Sequence, residues 1–103
     1  MTEHKLILLT RKDCCLCEGL EERLDKLSLD ELETPIKLCV RDIDSQDVSN
    51  ADHARYSLEV PVLLLELDSP LIRFELPRVS PRLAEEALLS WLQKTIAGKI
   101  EKS

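Results

Sequence analysis

The chain has 103 residues, 44% of them hydrophobic, which fits one domain over residues 1–103 with a buried core of its own. The net charge of -6 and the pI near 4.9 argue against nucleic acid or an anionic membrane as the main partner. No apolar run approaches the ~20 residues that span a bilayer, and the N-terminal segment does not have the pattern of a secretory signal, so we expect a cytoplasmic protein.

The first predicted elements are a buried strand and an amphipathic helix. The segment KLILLT, from Lys5 to Thr10, is a short continuous apolar run of a length typical of a buried strand. A charged turn and a group of cysteines follow it. Beyond them Leu20, Leu24 and Leu27 recur at helical spacing with charged residues between them, which predicts an amphipathic helix of about four turns.

The middle of the chain predicts two more strands and a short helix. Apolar and polar residues alternate from Ile36 to Arg41, which is typical of a half-exposed strand. The segment Asp47–Ser57 is predicted to be a short helix, with Asp44 or Ser45 as its N-cap. The segment EVPVLLLEL is apolar enough to be a central strand of a sheet.

The last predicted elements are a strand and a helix. A turn at SP leads into a fourth strand, Leu71–Leu76. The final helix is predicted to have Ser80 as its N-cap and Pro81 in its first position, and to stop at Gly98.

The resulting order is β-α-β-α-β-β-α. Two strands joined by a helix form a parallel pair, and two strands joined by a tight turn form an antiparallel hairpin. The sequence therefore predicts one α/β domain, with a small mixed four-stranded sheet and helices on both of its faces.

Three cysteines, Cys14, Cys15 and Cys17, lie where the first strand leads into the first helix. Cys14 and Cys17 form a C-x-x-C, and residues three apart at a helix start share one face, so their sulfurs can reach bonding distance. The helix N-terminus favours a thiolate, and Arg11 and Lys12 add positive charge nearby. In a cytosolic protein beside a β-α-β pattern, this spacing is typical of a redox pair.

Other interpretations of the cysteines and histidines stay open at this point. A tetrahedral zinc site needs four ligands, usually as two separated pairs, and the chain has one C-x-x-C. Cys15 is either a small filler or an alternative resolving or glutathionylated thiol. Cys39 is predicted to be a small, semi-buried residue of its strand. His4 and His53 have no triad context, and we assign neither a catalytic role.

Val60 and Pro61 are the second informative pair. A proline that enters a strand directly after a helix and loop predicts a fixed peptide bond, which a cis Val60–Pro61 bond would provide. Taken alone, this proline indicates only the start of a strand. It becomes informative about function because a C-x-x-C precedes it in the same chain.

Together these segments resemble a family of small glutaredoxin-like proteins of bacteria and plastids that have the thioredoxin fold. The motifs are C-x-L-C, an Asp-rich end of the second strand, and a tyrosine followed four residues later by Val-Pro. In this sequence they are Cys14, Leu16, Cys17, Asp42, Asp44, Tyr56, Val60 and Pro61. The resemblance extends from about Leu6 to Trp91 and implies a thioredoxin-like fold.

The resemblance also implies roles for the site residues. Cys14 would be the nucleophile and Cys17 the cysteine that resolves the mixed disulfide. Pro61 would flank the sulfurs, and the backbone of Val60 would pair with a bound peptide or glutathione. Arg11 occupies the place of a glutaredoxin lysine that contacts a glutathione carboxylate.

One part of the glutaredoxin pattern is missing. The Gly-Gly-x-Asp turn that holds the γ-glutamyl end of glutathione is replaced by LPRVSPRL. Arg78 and Arg82 are then the nearest candidates for binding an anion, while Arg11 and Lys12 are the cations we assign to substrate binding beside the cysteines.

We therefore predict a thiol–disulfide oxidoreductase that uses Cys14 and Cys17. It is expected to be a monomer that acts on a disulfide-containing protein or on glutathione, with no required cofactor and no metal, and with glutathione as a candidate co-substrate. The alternative is a non-catalytic module that binds a peptide or glutathione, or that shares an iron–sulfur cluster between two subunits through Cys14.

Overall fold

The computed structural model describes residues 4–27, 29, 36–68, 71–77 and 83–102. The elements in chain order are β1 (His4–Thr10), α1 (Cys15–Lys26), β2 (Ile36–Asp42), α2 (Asn50–Tyr56), β3 (Val62–Asp68), β4 (Leu71–Glu75) and α3 (Glu85–Lys102). This is the predicted order, β-α-β-α-β-β-α.

The four strands form one mixed sheet in the order β2-β1-β3-β4. β1 and β2 are parallel, whereas β1–β3 and β3–β4 are antiparallel. The central strands β1 and β3 are the two with continuous apolar runs, Leu6–Leu9 and Val62–Leu65, and these runs are buried. Strands covered on both faces need apolar residues at successive positions, which explains why these two segments do not alternate.

Successive residues of the central strands enter two separate apolar layers, as the two-residue period of a strand requires. On one face Leu6 and Leu8 pack with residues of α1 and α3. On the other face Ile7 and Leu9 pack with Tyr56 of α2. The buried members of the first layer are Leu6, Leu8, Leu20, Leu24, Leu29, Ile36, Leu63, Leu65, Leu67, Leu76, Leu88, Leu92 and Ile96; those of the second are Ile7, Leu9, Ile43, Tyr56, Val62 and Leu64.

The edge strand β2 is less regular than its sequence predicts. Ile36 is buried and Leu38 packs against the layer of α1 and α3, but Val40 is exposed. Cys39, expected on the polar side, packs against the layer of α2. Because helices cover both faces of the sheet, an edge strand can bury side chains that point to either face.

The second helix begins later than predicted, and its cap is a different residue. Ser49 is the N-cap of α2, because its hydroxyl accepts a hydrogen bond of 3.2 Å from the backbone N–H of Asp52. The prediction of Asp44 or Ser45 as the cap is wrong. A serine or an aspartate can cap a helix at any of these positions, and the sequence pattern does not choose among them.

The third helix continues through Gly98 to Lys102, so the predicted stop at Gly98 is wrong. Glycine in a helix interior costs about 1 kcal/mol relative to alanine. Burial of Leu92 and Ile96 just before it anchors the helix and outweighs that cost. Among the described residues, no helix is both long and apolar enough to cross a membrane. The predicted N-cap Ser80 and first position Pro81 lie outside the described residues, and the helix begins later than predicted, at Glu85.

An ion pair joins α2 to β4 across the face of the sheet. The guanidinium of Arg73 donates hydrogen bonds of 2.7 and 2.8 Å to the two carboxylate oxygens of Asp52. This paired donation is the largest cause of the lowered pKa of Asp52, although its partial burial opposes the shift.

Asp52→Asn is expected to lower the free energy of unfolding at neutral pH by up to about 1 kcal/mol, the range for a partly exposed ion pair. Because the pKa of Asp52 is lowered on folding, the pair stabilises the protein above about pH 4 and loses its effect as the pH falls through that lowered pKa. Urea unfolding at a series of pH values measures this. A difference between the two proteins that persists unchanged at pH 2 would contradict the assignment.

Candidate redox site

The cysteines lie at the junction that the sequence predicts, where β1 leads into α1. Cys14 is the N-cap of α1, and its backbone N–H donates a 3.2 Å hydrogen bond to the carbonyl oxygen of Arg11. Asp13 in this turn has φ = 65°, a left-handed conformation that aspartate adopts more readily than most residues. The turn therefore places Cys14 at the open end of the helix.

The sulfurs of Cys14 and Cys17 form a disulfide in this structure, and their Cα atoms are 5.2 Å apart. The prediction that these two cysteines are close enough to bond is confirmed. The reason is local: Cys17 lies in the first turn of α1, three residues after the cap. At this spacing two side chains lie on the same side of the helix start.

The two sulfurs of the pair differ in accessibility. Cys17 is 1% exposed, whereas Cys14 is only half-buried. An incoming substrate can therefore contact Cys14 more readily than Cys17. This difference agrees with an attacking role for Cys14 and a resolving role for Cys17.

The sulfur of Cys14 accepts a 3.2 Å hydrogen bond from the backbone N–H of Cys17. In the reduced protein this N–H, together with the positive end of the helix dipole, would stabilise a thiolate at Cys14 more than a thiol. A thiolate is the nucleophilic form of cysteine, so these contacts favour attack by Cys14 on a disulfide.

The other two cysteines are free thiols in different surroundings. Cys15 is exposed at the first residue of α1, and Cys39 is half-buried in β2. The prediction of Cys39 as a small semi-buried residue is confirmed. Leu16, between Cys15 and Cys17, is 51% exposed, so the outer surface of the motif is apolar as well as thiol-bearing.

Val60 and Pro61 lie at the end of the sheet that holds the cysteines. Leu9 of β1 pairs with Val62 of β3, so the residue before Val62 lies beside the end of β1. The Val60–Pro61 bond is cis, one of the forms that the sequence indicates. The strand register therefore brings the two motifs, separate in sequence, to one end of the sheet.

A shallow groove opens beside Pro61. It has a volume of about 380 Å³, including the solvent at its mouth. Its lining combines apolar side chains such as Leu20 and Pro77 with the carboxylates of Glu59 and Glu75.

Tyr56, the tyrosine of the family motif, closes the base of this groove. Its ring is buried, and the guanidinium of Arg55 lies 5.5 Å from the ring centroid. Burial is the main cause of its raised pKa, and a hydrogen bond with Glu75 raises it further. The phenol therefore stays neutral over the pH range in which thiols exchange.

Arg11 is not a free cation in this structure. Its guanidinium donates hydrogen bonds of 3.1 and 3.3 Å to the two carboxylate oxygens of Asp44. A ring nitrogen of His53 lies 3.0 Å from the same carboxylate. The pKa of Asp44 is lowered, first by the hydrogen bond from Arg11 and then by the one from His53.

The sequence alone does not indicate this network. It places Asp44 in the family motif and among the candidate helix caps, and it indicates no role for His53. The signal that could have found them is the Asp-rich end of the second strand, because the parallel pairing of Thr10 with Asp42 brings this end beside Arg11. Arg11, the partner of Asp44, is 33 residues away in the sequence, so no local sequence pattern could reveal this contact.

Of the other cations that the sequence indicates for the site, only Lys12 lies within the described residues. Lys12 is exposed, and within the described part of the chain it makes no ion pair. Arg78 and Arg82 lie outside the described residues. Over the residues that the structure covers, no three His, Cys, Asp or Glu side chains are grouped so that they could hold a metal ion.

Comparison with known proteins gives one family and two informative structures. Residues 5–93 match the family described as glutaredoxin-like domain (DUF836). A solved structure of a malarial protein is similar at a TM-score of 0.58 and 18% identity, covering 90% of this chain and 97% of that one. The X-ray structure of the structural-genomics target XcR50 from X. campestris has a TM-score of 0.50 and 26% identity, covering 86% of this chain and 96% of that one. No curated protein matches.

Proposed function

Because this chain belongs to the glutaredoxin-like domain family (DUF836) and has a thioredoxin-like fold, we propose that it is a thiol–disulfide oxidoreductase that uses Cys14 and Cys17. The single observation that carries the proposal is the bonded cysteine pair at the start of α1, with Cys14 accessible and Cys17 buried. We also propose that the protein acts in the cytoplasm. Because a disulfide that serves only stability is uncommon in such a reducing compartment, a redox role explains the cysteine pair better.

The proposed reaction has two exchange steps. The Cys14 thiolate attacks one sulfur of a substrate disulfide, forms a mixed disulfide and expels the other sulfur as a thiolate that takes up a proton. The thiol of Cys17 then gives up its proton and attacks the Cys14 sulfur. The second substrate sulfur leaves, and the Cys14–Cys17 disulfide remains. The substrate gains two electrons, which a thiol donor such as glutathione or a dithiol must later return to the protein.

The substrate would lie at the end of the sheet beside Pro61. There the backbone of Val60 would pair with an extended polypeptide, and Arg11 and Lys12 would flank Cys14 on the other side. Leu16 is exposed within the cysteine motif, and Leu58, in the turn before Pro61, is 94% exposed. Exposed apolar side chains in both segments suit a partner with an apolar surface.

A redox titration tests the proposal. The protein is equilibrated in dithiol buffers of increasing potential, and free thiols are counted after alkylation and mass spectrometry. We expect one two-electron couple that disappears in Cys14→Ser and persists in Cys39→Ser, because the Cys39 thiol packs away from the pair. A wild-type protein that shows no such couple would refute the oxidoreductase.

A further inference from the structure

Arg11, one of the two cations in the turn before Cys14, is already paired. Arg11 is the residue that a carboxylate-bearing substrate such as glutathione would be expected to contact. The two carboxylate oxygens of Asp44 accept hydrogen bonds of 3.1 and 3.3 Å from the guanidinium of Arg11. A substrate carboxylate must therefore displace Asp44 before it can form the same pair of hydrogen bonds.

Asp44 is held in this position from other directions. Its backbone N–H donates a 2.9 Å hydrogen bond to the carboxylate of Asp42, and His53 contacts its side chain at 3.0 Å. A partner fixed within the fold has a lower entropic cost of binding than a substrate group that must be ordered from solution. The intramolecular pair with Arg11 is thereby favoured over an intermolecular one.

The charges around the cysteine pair have an acidic balance. Arg11, Lys12 and Arg41 are the cations of the turn, the first turn of α1 and the adjoining end of β2. The carboxylates of the same segments outnumber them by one; they are Asp13, Glu18, Asp42 and Asp44. Glu59 and Glu75 line the groove beside Pro61, and Glu75 is paired with Arg55 at 3.4 Å. The segments around Cys14 therefore carry a net negative charge, which disfavours an anionic disulfide relative to a cationic one.

We propose that Asp44 is a positioning residue that sets the substrate class of this site. By neutralising Arg11 it disfavours anionic disulfides such as glutathione disulfide and favours disulfides carried by polypeptide segments with basic side chains near the sulfurs. This inference rests on the proposed oxidoreductase function, and it assigns to Asp44 an effect on selectivity and not on the chemistry of the sulfurs.

The test uses three small disulfides of similar size and different charge. These are cystamine, which is cationic, 2-hydroxyethyl disulfide, which is neutral, and 3,3′-dithiodipropionate, which is anionic. Pre-reduced protein is mixed with each at low ionic strength, quenched by alkylation and analysed for the Cys14–Cys17 disulfide. Each rate is divided by the rate of the same disulfide with dithiothreitol, which removes intrinsic differences in reactivity.

For the wild-type protein we expect the corrected rate with cystamine to exceed that with dithiodipropionate. Asp44→Asn should lower this cationic-to-anionic ratio by about fivefold, the effect of freeing one exposed ion-pair partner. Arg11→Gln should raise the ratio. General damage to the turn would move the two variants in the same direction, so opposite changes identify electrostatic positioning.

Asp47→Asn is the matched control. Asp47 is an exposed aspartate of the same loop, and its replacement removes the same charge without releasing Arg11. It should change the ratio less than Asp44→Asn does. Equal effects of the two variants, or a wild-type ratio of one or below, would overturn the inference while leaving the oxidoreductase intact. Failure of all three disulfides to oxidise the pair would instead overturn the proposed function and the inference with it.

Discussion

Cys17→Ser is expected to stop the reaction at a stable mixed disulfide between Cys14 and a substrate protein. In this variant Cys14 keeps its place at the start of α1 and can still attack a disulfide. The serine hydroxyl cannot displace the bound partner as a thiolate would, so the intermediate accumulates. Affinity purification under non-reducing conditions, followed by mass spectrometry, should recover partners joined to Cys14.

The physical reason lies in the different accessibility of the two sulfurs. Cys14 is reachable from solvent, and Cys17 is almost fully buried against the helix start. The Cys17 sulfur is within bonding distance of the Cys14 sulfur, so it can attack a mixed disulfide at Cys14 without an external thiol. Loss of the internal thiol removes the one attacker that is already in place.

Two control variants make the trap specific. Cys15 is exposed and could form adventitious mixed disulfides, so the trap is made in a Cys15→Ser background and the bond is mapped to Cys14. Cys14→Ser in the same background should capture nothing above the level of a protein without cysteines. Equal capture by the Cys14 and Cys17 variants would contradict the mechanism. Partners that are retained without any covalent bond would favour a binding module.

Leu65→Ala is expected to lower the free energy of unfolding by about 3 kcal/mol, within the range for leucine truncation in a packed core. Leu65 is fully buried in the central strand β3 and belongs to the layer between the sheet and the helices α1 and α3. Its strand neighbours are Leu6 of β1 and Phe74 of β4. Fixed strands on both sides prevent the cavity from closing. The loss of stability should therefore exceed the transfer free energy of the removed atoms.

The matched control is Leu58→Ala. Leu58 is 94% exposed, so the same substitution removes little buried surface and should change the free energy of unfolding by less than about 0.5 kcal/mol. Urea unfolding followed through the single tryptophan, Trp91, measures both variants. Similar losses for the two leucines would show that Leu65 is not part of a tightly packed core.

The sequence was sufficient for the features that depend on neighbouring residues. Apolar runs and helical spacing predicted all seven described elements in order. A strand buried on both faces has a continuous apolar run, and a helix buried on one side has apolar residues at helical spacing, so both leave a local pattern in the sequence. The pairing of Cys14 with Cys17 followed in the same way, since three residues at a helix start span a fixed short distance. Only the ends of α2 and α3 were misplaced, because several residues near each end could serve as caps or stops.

The tertiary structure decided what depends on distant residues. The parallel pairing of β1 with β2 brings Asp44 beside Arg11 across 33 positions, and this contact converts a predicted substrate-binding cation into half of an ion pair. The packing around α1 likewise buries Cys17 and leaves Cys14 accessible, a difference that the C-x-x-C spacing alone does not contain. The cysteine pair depends on local sequence, whereas the proposed selectivity would depend on charges that only the sheet brings together.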